Sequence, residues 1–299
     1  MNAAKPERQS VAICIATRER PESLQTLLTS IAALEIDDAT TELLVVVADN
    51  DERGSARDVC DDATRWLGYP LRYVHEPRPG IPMARNASLS PVAGKVDWIV
   101  FVDDDEIVPG HWIAALCATQ TSTQADVVTG PVRAVYAHPP PRWWSDAGFH
   151  DTPEHPEGSV RSVAYTHNTL VRAARLGPIG PWFDERLPSG EDVALFRSLV
   201  KGGATIVWSR EAFVQESVTP NRVSWRGMLR RGWREGVALA RVARWYEGAS
   251  RLEAFYGGLL RAGWNAARAI APYPAPLGER ARALRRVSTG LGRCFGAIF

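Results

Sequence analysis

The first half of the chain alternates apolar runs with segments in which apolar residues recur every three or four positions. The run SVAICIAT, residues 10–17, is short and rich in β-branched residues, and the next segment spaces its leucines and isoleucines from Leu24 to Leu34 at helical intervals. Three more apolar runs follow, separated by helical patterns: ELLVVVADND, LRYVHEP and DWIVFVDDDE. Apolar strands interleaved with helices predict a parallel sheet covered on both faces.

The pattern changes near Ala125. The segment ADVVTGPVRAVY predicts a strand, and the Pro- and Trp-rich stretch over 137–159 predicts a loop. A helix is expected from about Glu191, followed by a strand that ends at Trp208, and the pattern is helical from Val223 onwards. We therefore expect an α/β domain over residues 1–221 and a helical extension over residues 222–299.

Composition narrows the class of protein. The 299 residues are 45% hydrophobic and 23% charged, which is typical of a soluble globular protein. The four cysteines are scattered without a CxxC pair, which argues against a zinc site or a disulfide framework. The N-terminus lacks the apolar core of a signal peptide, and no run approaches the ~18–20 apolar residues of a membrane span. We expect a cytoplasmic protein.

The net charge of +1 hides an asymmetry. Residues 222–299 contain fifteen arginines, no lysine and four glutamates, a net charge of +11, whereas residues 1–221 carry −10. Such helices, with tryptophans among the arginines, fit an anionic surface such as the inner face of the cell membrane. A helical subdomain packed on the α/β domain is the equal alternative. Nucleic-acid binding is not expected, because the first domain is acidic and contains no recognition motif.

Four consecutive carboxylates, Asp103 to Glu106, follow one apolar run directly. Like charges at this spacing repel, so a positive partner is expected. Asp49 follows another run, and the carboxyl ends of parallel strands are where such sheets bind ligands. The cluster suits Mg²⁺ or Mn²⁺, which prefer oxygen ligands. A general acid–base pair and a solvated acidic loop are the alternatives.

Six segments occur in the order and spacing of a known family: ICIATRERPESL, VVVADND, HEPRPGIPMARNASL, IVFVDDDE, GEDVALFRSLVKGG and TPNRVSWRGMLRRGWREG. Over residues 10–240 the sequence resembles family-2 glycosyltransferases of GT-A fold, within them the ExoM-like branch of bacterial polysaccharide biosynthesis. The resemblance implies a Rossmann-like mixed sheet flanked by helices, with a donor half over about 10–110 and an acceptor half over about 111–221. The sequence differs from the family pattern at two places. The first apolar run ends in ATRERP, where many members have Pro-Thr-Tyr-Asn, and Glu216 stands where a metal-binding histidine is common.

The resemblance implies roles at the donor. Asp103 and Asp105 would bind the metal, with Glu216 completing its shell or pairing with an arginine instead. Asp104 would face the ribose or the sugar. The nucleoside, usually uridine, would lie against Thr17 and Asp49, and Arg85 would approach the nucleotide; Arg222 and Arg230 would close over the diphosphate. The alternatives are that Asp49 caps the following helix, that Arg85 is a surface residue, and that the later arginines form a solvated helix face.

The resemblance also implies an inverting displacement with Asp192 as the general base that removes the acceptor proton, beside Glu191. Alternatively, both acids only stabilise a helix N-terminus, an effect of roughly 0.3–1 kcal/mol. Trp143 and Trp144 form an acceptor platform or anchor a loop, and His167 with Asn168 stand where relatives approach the acceptor.

The implied function is transfer of a sugar from a nucleotide-sugar, with UDP expected, to a saccharide or lipid-linked acceptor. One alternative is a sugar-nucleotide nucleotidyltransferase. Such an enzyme requires a Gly-rich phosphate-binding loop after the first strand, and the segment ATRERPESL contains no glycine. The other is a catalytically silent protein that binds a nucleotide or a glycan.

Overall fold

The computed structural model describes residues 8–149, 153–270 and 276–299. The chain divides into two compact units. The first contains Met1–Arg133, Thr152–Glu185 and Leu195–Glu216, and the second contains Ala134–Asp151, Arg186–Ala194 and Ser217–Phe299. The second unit therefore joins the helical extension to two earlier segments of the chain.

The strands and helices alternate as far as Asp103 in the way the pattern predicts. The strands are β1 (Gln9–Thr17), β2 (Thr41–Asp49), β3 (Leu71–His75), β4 (Trp98–Asp103), β5 (Glu106–Ile107), β6 (Val127–Thr129), β7 (Val132–Tyr136), β8 (Val160–Arg161), β9 (Asn168–Arg172), β10 (Ile206–Trp208) and β11 (Val214–Val218). The helices are α1 (Pro21–Ala32), α2 (Arg57–Ala63), α3 (Ile81–Leu89), α4 (Trp112–Thr123), α5 (Arg142–Ser145), α6 (Ala173–Leu176), α7 (Glu191–Lys201), α8 (Trp225–Tyr246), α9 (Arg251–Ile270) and α10 (Leu277–Ile298), with a 3-10 turn over Pro220–Arg222.

The main sheet has eight strands in the order β3-β2-β1-β4-β9-β6-β10-β8. The four strands of the first half are parallel to one another, as predicted. Beyond β4 the sheet is mixed, because β9 runs antiparallel to both β4 and β6, and β8 runs antiparallel to β10. The parallel arrangement inferred from the apolar runs therefore ends at β4, and the mixed sheet implied by the resemblance is confirmed. A second sheet has the order β5-β11-β7.

Both faces of the main sheet are buried, in two separate apolar cores. Alternate residues of each central strand point to opposite sides: Ile13 and Ile15 of β1 pack with α1, while Ala12 and Cys14 pack on the side of Leu89 in α3. This alternation follows from the two-residue period of a strand. The predicted covering of the sheet on both faces is confirmed.

Strand register brings the polar strand ends to one edge. Thr17 of β1 pairs with Asp49 of β2, and Ala16 pairs with Asp103 of β4 on the other side. Because all three strands are parallel, their carboxyl ends form a continuous row. Any site that uses these side chains lies along this row.

The second unit contains the long helices α8, α9 and α10, in the region beyond Val223 where a helical pattern was predicted. α10 packs against α8 and α9 through glycines: a Cβ on Gly236 of α8 would lie 2.0 Å from the carbonyl oxygen of Thr289, and one on Gly292 would lie 2.2 Å from that of Trp233. Only glycine lets the backbones approach this closely. None of the helices in the described ranges combines the length and the hydropathy that a membrane span requires.

Candidate active site

Asp104 is held through both of its carboxylate oxygens. Its Oδ2 accepts a hydrogen bond of 2.8 Å from the Thr17 hydroxyl, and its Oδ1 accepts one of 3.0 Å from Nη1 of Arg20. Burial raises the pKa of Asp104 to about 6, although Arg20 and the Thr17 hydroxyl act in the opposite direction. The same Arg20 nitrogen lies 3.1 Å from Oδ2 of Asp105. Arg20, which the sequence motifs did not single out, is thus a positive partner that the chain itself supplies to the cluster.

Asp103 has a different arginine. Its Oδ1 lies 3.4 Å from Nη2 of Arg85, whose side chain is buried. The Arg85 guanidinium also stands over the ring of Phe183, 5.8 Å from its centroid. The surface-residue alternative for Arg85 is wrong, because this side chain is buried and paired with a carboxylate of the cluster.

Glu106 is an almost fully buried member of the cluster. It is 2% exposed, and its Oε2 accepts a hydrogen bond of 2.8 Å from the backbone N–H of Asp103. Burial, reinforced by the charge of Asp103, places the pKa of Glu106 well above its usual range. Its strand β5 pairs with β11 so that Glu216 stands directly opposite Glu106. The structure therefore brings Glu216 to the cluster, although 110 residues separate the two glutamates along the chain.

Asp49 is fully buried at the end of β2. One carboxylate oxygen accepts 2.8 Å and 3.0 Å bonds from the Ala56 N–H and the Tyr73 hydroxyl, and the other accepts a 3.1 Å bond from the Asp51 N–H. Ala56 precedes α2, so these contacts match the helix-capping alternative. Contact between Asp49 and a base stays a prediction.

A cleft of about 510 Å³ opens along the carboxyl ends of β1, β2 and β3. It is lined by the loops that follow these strands: Arg18, Glu19, Asn50, Asp51, Glu52, Arg53, Pro77 and Pro79. Asn50 shapes it, because its amide nitrogen donates to the carbonyls of Glu76 and Arg78 and its Oδ1 accepts from the Gly80 N–H at 2.8 Å. Thr17 and Asp49, the residues predicted to meet the nucleoside, end the strands directly before two of these loops. The loop residues after β2 and β3 were not predicted, because loops show no periodic signal.

A family model described as glycosyltransferase like family 2 matches residues 6–246. The chain belongs to glycosyltransferase family 2. Succinoglycan biosynthesis protein ExoM of Rhizobium meliloti is 36% identical over 266 residues, which are 88% of this chain and 81% of ExoM. The pre-mycofactocin glycosyltransferase of Mycobacterium tuberculosis is 26% identical over 219 residues, 70% of this chain and 43% of that protein.

Solved structures agree on the fold of this family-2 glycosyltransferase. S. aureus TarS 1–349 in complex with UDP superimposes with a TM-score of 0.54 at 16% identity, over 95% of this chain and 90% of TarS. The complex of the same protein with UDP-GlcNAc gives 0.50 at 17% identity, over 94% and 90%. The expected GT-A architecture, with a C-terminal helical region, is confirmed.

The glycosyltransferase carries Glu191 and Asp192 at the first two positions of α7, as predicted. Gly190 before them has a φ of +81°, and a Cβ there would lie 2.9 Å from the Cβ of Ala238 in α8. Glu191 is buried, and Oδ1 of the half-buried Asp192 accepts a hydrogen bond of 2.7 Å from the Val193 N–H. That bond matches the helix-terminus alternative; the role of Asp192 as general base stays a prediction.

Two predicted phosphate ligands belong to the helical unit. Arg222 ends the 3-10 turn that precedes α8. Arg230 is exposed on α8 and lines a second cavity together with Arg226, Leu229, Trp233 and Ser288. The solvated-face alternative describes the exposure of Arg230, and its contact with a diphosphate stays a prediction.

The tryptophan pair of the 137–159 loop lies in an apolar cluster of the helical unit. Trp144 is buried and its indole N–H donates to the Tyr136 hydroxyl at 3.0 Å, while Trp143 stacks on Trp225 with ring centroids 4.1 Å apart. These contacts match the loop-anchor alternative. Residues 150–152 of the loop lie outside the described residues.

His167 and Asn168 have clear structural contacts. His167 stacks on Tyr165, with centroids 5.4 Å apart. Asn168 is fully buried, donates to the carbonyls of Pro131 and Ala212 and accepts from the indole of Trp112. Asn168 thus joins three segments of the first unit.

The donor-atom chemistry of the cluster fits a divalent cation that also binds substrate. Over residues 8–149, 153–270 and 276–299, no three His, Cys, Asp or Glu side chains are grouped so that they could hold a metal ion. Asp103 and Asp105 nevertheless offer carboxylate oxygens at the strand end, and Mg²⁺ is commonly held by only one or two carboxylates plus substrate phosphates. The oxygen ligands of Asp103 and Asp105 are therefore of the type that Mg²⁺ or Mn²⁺ prefers.

Proposed function

We propose that the chain is an inverting, metal-dependent glycosyltransferase that transfers a sugar from a UDP-sugar to a saccharide or lipid-linked acceptor during polysaccharide biosynthesis. The observation that carries the proposal is the row of strand ends, where the cleft and the carboxylates of Asp103 to Asp105 follow neighbouring strands. The similarity to ExoM supports the biosynthetic role, and the TarS complexes support a uridine nucleotide.

The nucleoside is proposed to occupy the cleft beside Asn50 and Asp51. The lining is polar and includes Arg18 and Arg53, so it offers hydrogen bonds and positive charge to a nucleotide. Thr17 directly precedes the cleft residue Arg18, and its hydroxyl donates to Asp104. Thr17 therefore connects the cleft to the acidic cluster.

Asp103 and Asp105 are the proposed ligands of Mg²⁺ or Mn²⁺, with Glu216 as a third candidate. When bound, the cation would stabilise the negative charge that develops on the leaving diphosphate. Arg20 would offset the repulsion between Asp104 and Asp105 in the absence of the cation. Arg85 would hold Asp103 in place from the buried side.

The acceptor hydroxyl must lose a proton as it attacks the anomeric carbon, and Asp192 is the proposed base. It stands at the second position of α7, beside the buried Glu191. Inversion follows from a single in-line displacement with no covalent intermediate. Arg222 and Arg230 are the proposed contacts to the diphosphate.

Calorimetry with a panel of UDP-, GDP- and dTDP-sugars, with and without Mn²⁺, tests the donor site. We expect metal-dependent binding of the UDP class by the wild type and its loss in Asp105→Ala. Asp58→Ala, which removes an exposed carboxylate of α2, is the matched control and should bind as the wild type does. Failure to bind any nucleotide under any condition would overturn the proposal.

The Asp192→Asn variant separates an enzyme from a silent binding protein. We expect donor affinity to stay within about twofold while transfer to acceptor falls by about 100-fold or more, the usual contribution of a general base. A variant with undiminished turnover would remove Asp192 from the mechanism. Release of diphosphate from a nucleoside triphosphate would support the nucleotidyltransferase alternative.

A further inference from the structure

One face of α9 carries large apolar side chains that remain exposed. They recur at helical spacing and are Leu252, Tyr256, Leu259, Leu260, Trp264 and Ile270. Leu260 is 74% exposed, Trp264 70% and Ile270 80%. We call these six residues the α9 apolar face. A surface helix of a water-soluble domain normally turns such residues toward its core.

The opposite side of α9 is buried and consists mostly of small residues. Ala254, Gly258, Ala262 and Ala269 are buried there, together with Asn265. A Cβ on Gly258 would lie 2.7 Å from the carbonyl oxygen of Gly290 in α10, so the two backbones are in close contact. Close packing through small residues, with the large apolar ones facing outward, is the arrangement of helices whose outer side meets lipid.

Positive charges predominate near this face, although the exposed Glu253 stands in the first turn of α9. Arg261 and Arg268 are exposed and stand seven residues apart, so they flank one side of the α9 apolar face. Residues 222–299 together carry fifteen arginines against four glutamates. Arginines attract anionic headgroups, and the amphipathic ring of Trp264 suits the boundary between headgroups and acyl chains.

We infer that α9 lies flat on an anionic lipid bilayer, with the α9 apolar face in the headgroup–acyl boundary and Arg261 and Arg268 against the headgroups. The contact is interfacial, since none of the described helices can span a bilayer. A second copy of the chain fits less well, because a symmetric contact along α9 would bring two surfaces of the same positive charge together. The inference stands apart from the proposed transfer reaction.

Flotation of the full chain with vesicles tests this inference. We expect the wild type to bind vesicles of phosphatidylcholine mixed with phosphatidylglycerol and to bind phosphatidylcholine alone much more weakly. The double variant Leu260→Gln, Trp264→Gln should lose about tenfold or more of its binding. Ile179→Gln, which removes an 86% exposed isoleucine of the first unit, is the matched control and should bind as the wild type does.

Two further variants test the parts of the surface separately. Arg261→Gln with Arg268→Gln should weaken binding to the mixed vesicles, while Trp264→Phe should retain most of it. Unchanged circular dichroism and unfolding midpoints show that each variant is folded. Absence of vesicle binding by the wild type, or equal binding by the double glutamine variant, would overturn the inference. So would a dimer in light scattering that the double glutamine variant dissociates without any vesicle binding.

Discussion

At the scale of single residues, the acidic cluster is a set of carboxylates with different partners. Asp104 is held by Thr17 and Arg20, Asp103 by Arg85, and Glu106 receives the N–H of Asp103. The buried Asp104 and Glu106 are held by hydrogen bonds within the protein, whereas the side chain of Asp103 is 41% exposed. This division of roles lets a cluster of like charges exist at a strand end without unfolding it.

The raised pKa of Asp104 predicts a pH dependence of stability. Its pKa is about 6 in the folded protein against 3.8 for an exposed aspartate, so between these values the folded chain holds a proton that the unfolded chain has released. The free energy of unfolding therefore falls as the pH rises through this window, by about 3 kcal/mol from this residue. Asp104→Asn should remove that fall.

Urea unfolding on both sides of the window, in the presence of a chelator, measures the effect. Asp58→Asn, at an exposed carboxylate outside the site, should keep the wild-type dependence. Identical pH slopes for the wild type and Asp104→Asn would contradict the burial argument.

Asn168 predicts a stability effect without a role in catalysis. Asn168→Leu keeps the volume but leaves the carbonyls of Pro131 and Ala212 and the indole N–H of Trp112 without their partner. We expect a loss of about 3 kcal/mol or more in the free energy of unfolding. Asn221→Leu, at an exposed asparagine, should change it little; a comparable loss there would show that the effect is not due to burial.

The apolar pattern predicted site residues only where they coincided with a strand end, whereas Arg85 and Glu216 were expected near the carboxylates from the family resemblance. Asp49 and Asp103 were placed correctly because a parallel strand fixes where its last residue lies. Arg20 was missed because no spacing rule connects a residue after β1 with carboxylates after β4; their contact depends on strand order. Glu106 looked like a fourth acid of a loop, and only the pairing of β5 with β11 explains its burial.

At the scale of elements, strong periodicity was sufficient and weak periodicity was not. The first four strands and α1 to α3 were predicted because their apolar residues follow a strand or helix period. α4 was missed, since its buried residues include Thr119 and Gln120 and give no clean apolar stripe. β9 was missed because it buries Asn168 and Thr169. The Asn168 amide donates to the Ala212 carbonyl, and the Thr169 hydroxyl is bonded to the Tyr165 carbonyl and the Thr129 hydroxyl. The segment ADVVTGPVRAVY was predicted as one strand but forms β6 and β7, interrupted at Gly130 and Pro131.

The seam between α9 and α10, where Gly258 packs against Gly290, allows a prediction from two matched glycine substitutions. In Gly290→Ala, the added Cβ would lie 2.7 Å from the Gly258 carbonyl oxygen and from the Ala262 nitrogen, so the helices must separate. We expect a loss of about 1–3 kcal/mol in the free energy of unfolding. Gly263→Ala on the exposed side meets nothing within 4 Å and should instead stabilise α9 by about 0.5–1 kcal/mol.

Chemical denaturation of both variants measures these changes in the free energy of unfolding. Opposite signs for the same substitution would show that the small residues are required by the seam and not by the helix. Equal effects would mean that α9 and α10 can move apart without loss.

At the scale of the whole molecule, opposite charges on the two parts of the chain nearly cancel. The net charge is +1 and the isoelectric point is about 7.7. Because near-zero net charge favours association, we expect a solubility minimum near that pH at low ionic strength, relieved by added salt. Light scattering against pH and salt measures it, with the Leu260→Gln, Trp264→Gln variant expected to scatter less. A monotonic dependence on pH would contradict the charge argument.

The order of strands in the main sheet has a consequence for the chain while the ribosome is still making it. β1 to β4 can assemble once residue 103 has emerged, but the far edge of β4 pairs with β9, which begins at Asn168. At about 5–20 residues per second, the intervening residues take roughly 3–13 seconds to synthesise. Throughout that interval the backbone of Ile99, Val100 and Phe101 is an open strand edge that can accept a strand from another nascent chain. Newly made copies on neighbouring ribosomes are therefore at greater risk of wrong pairing than the finished protein.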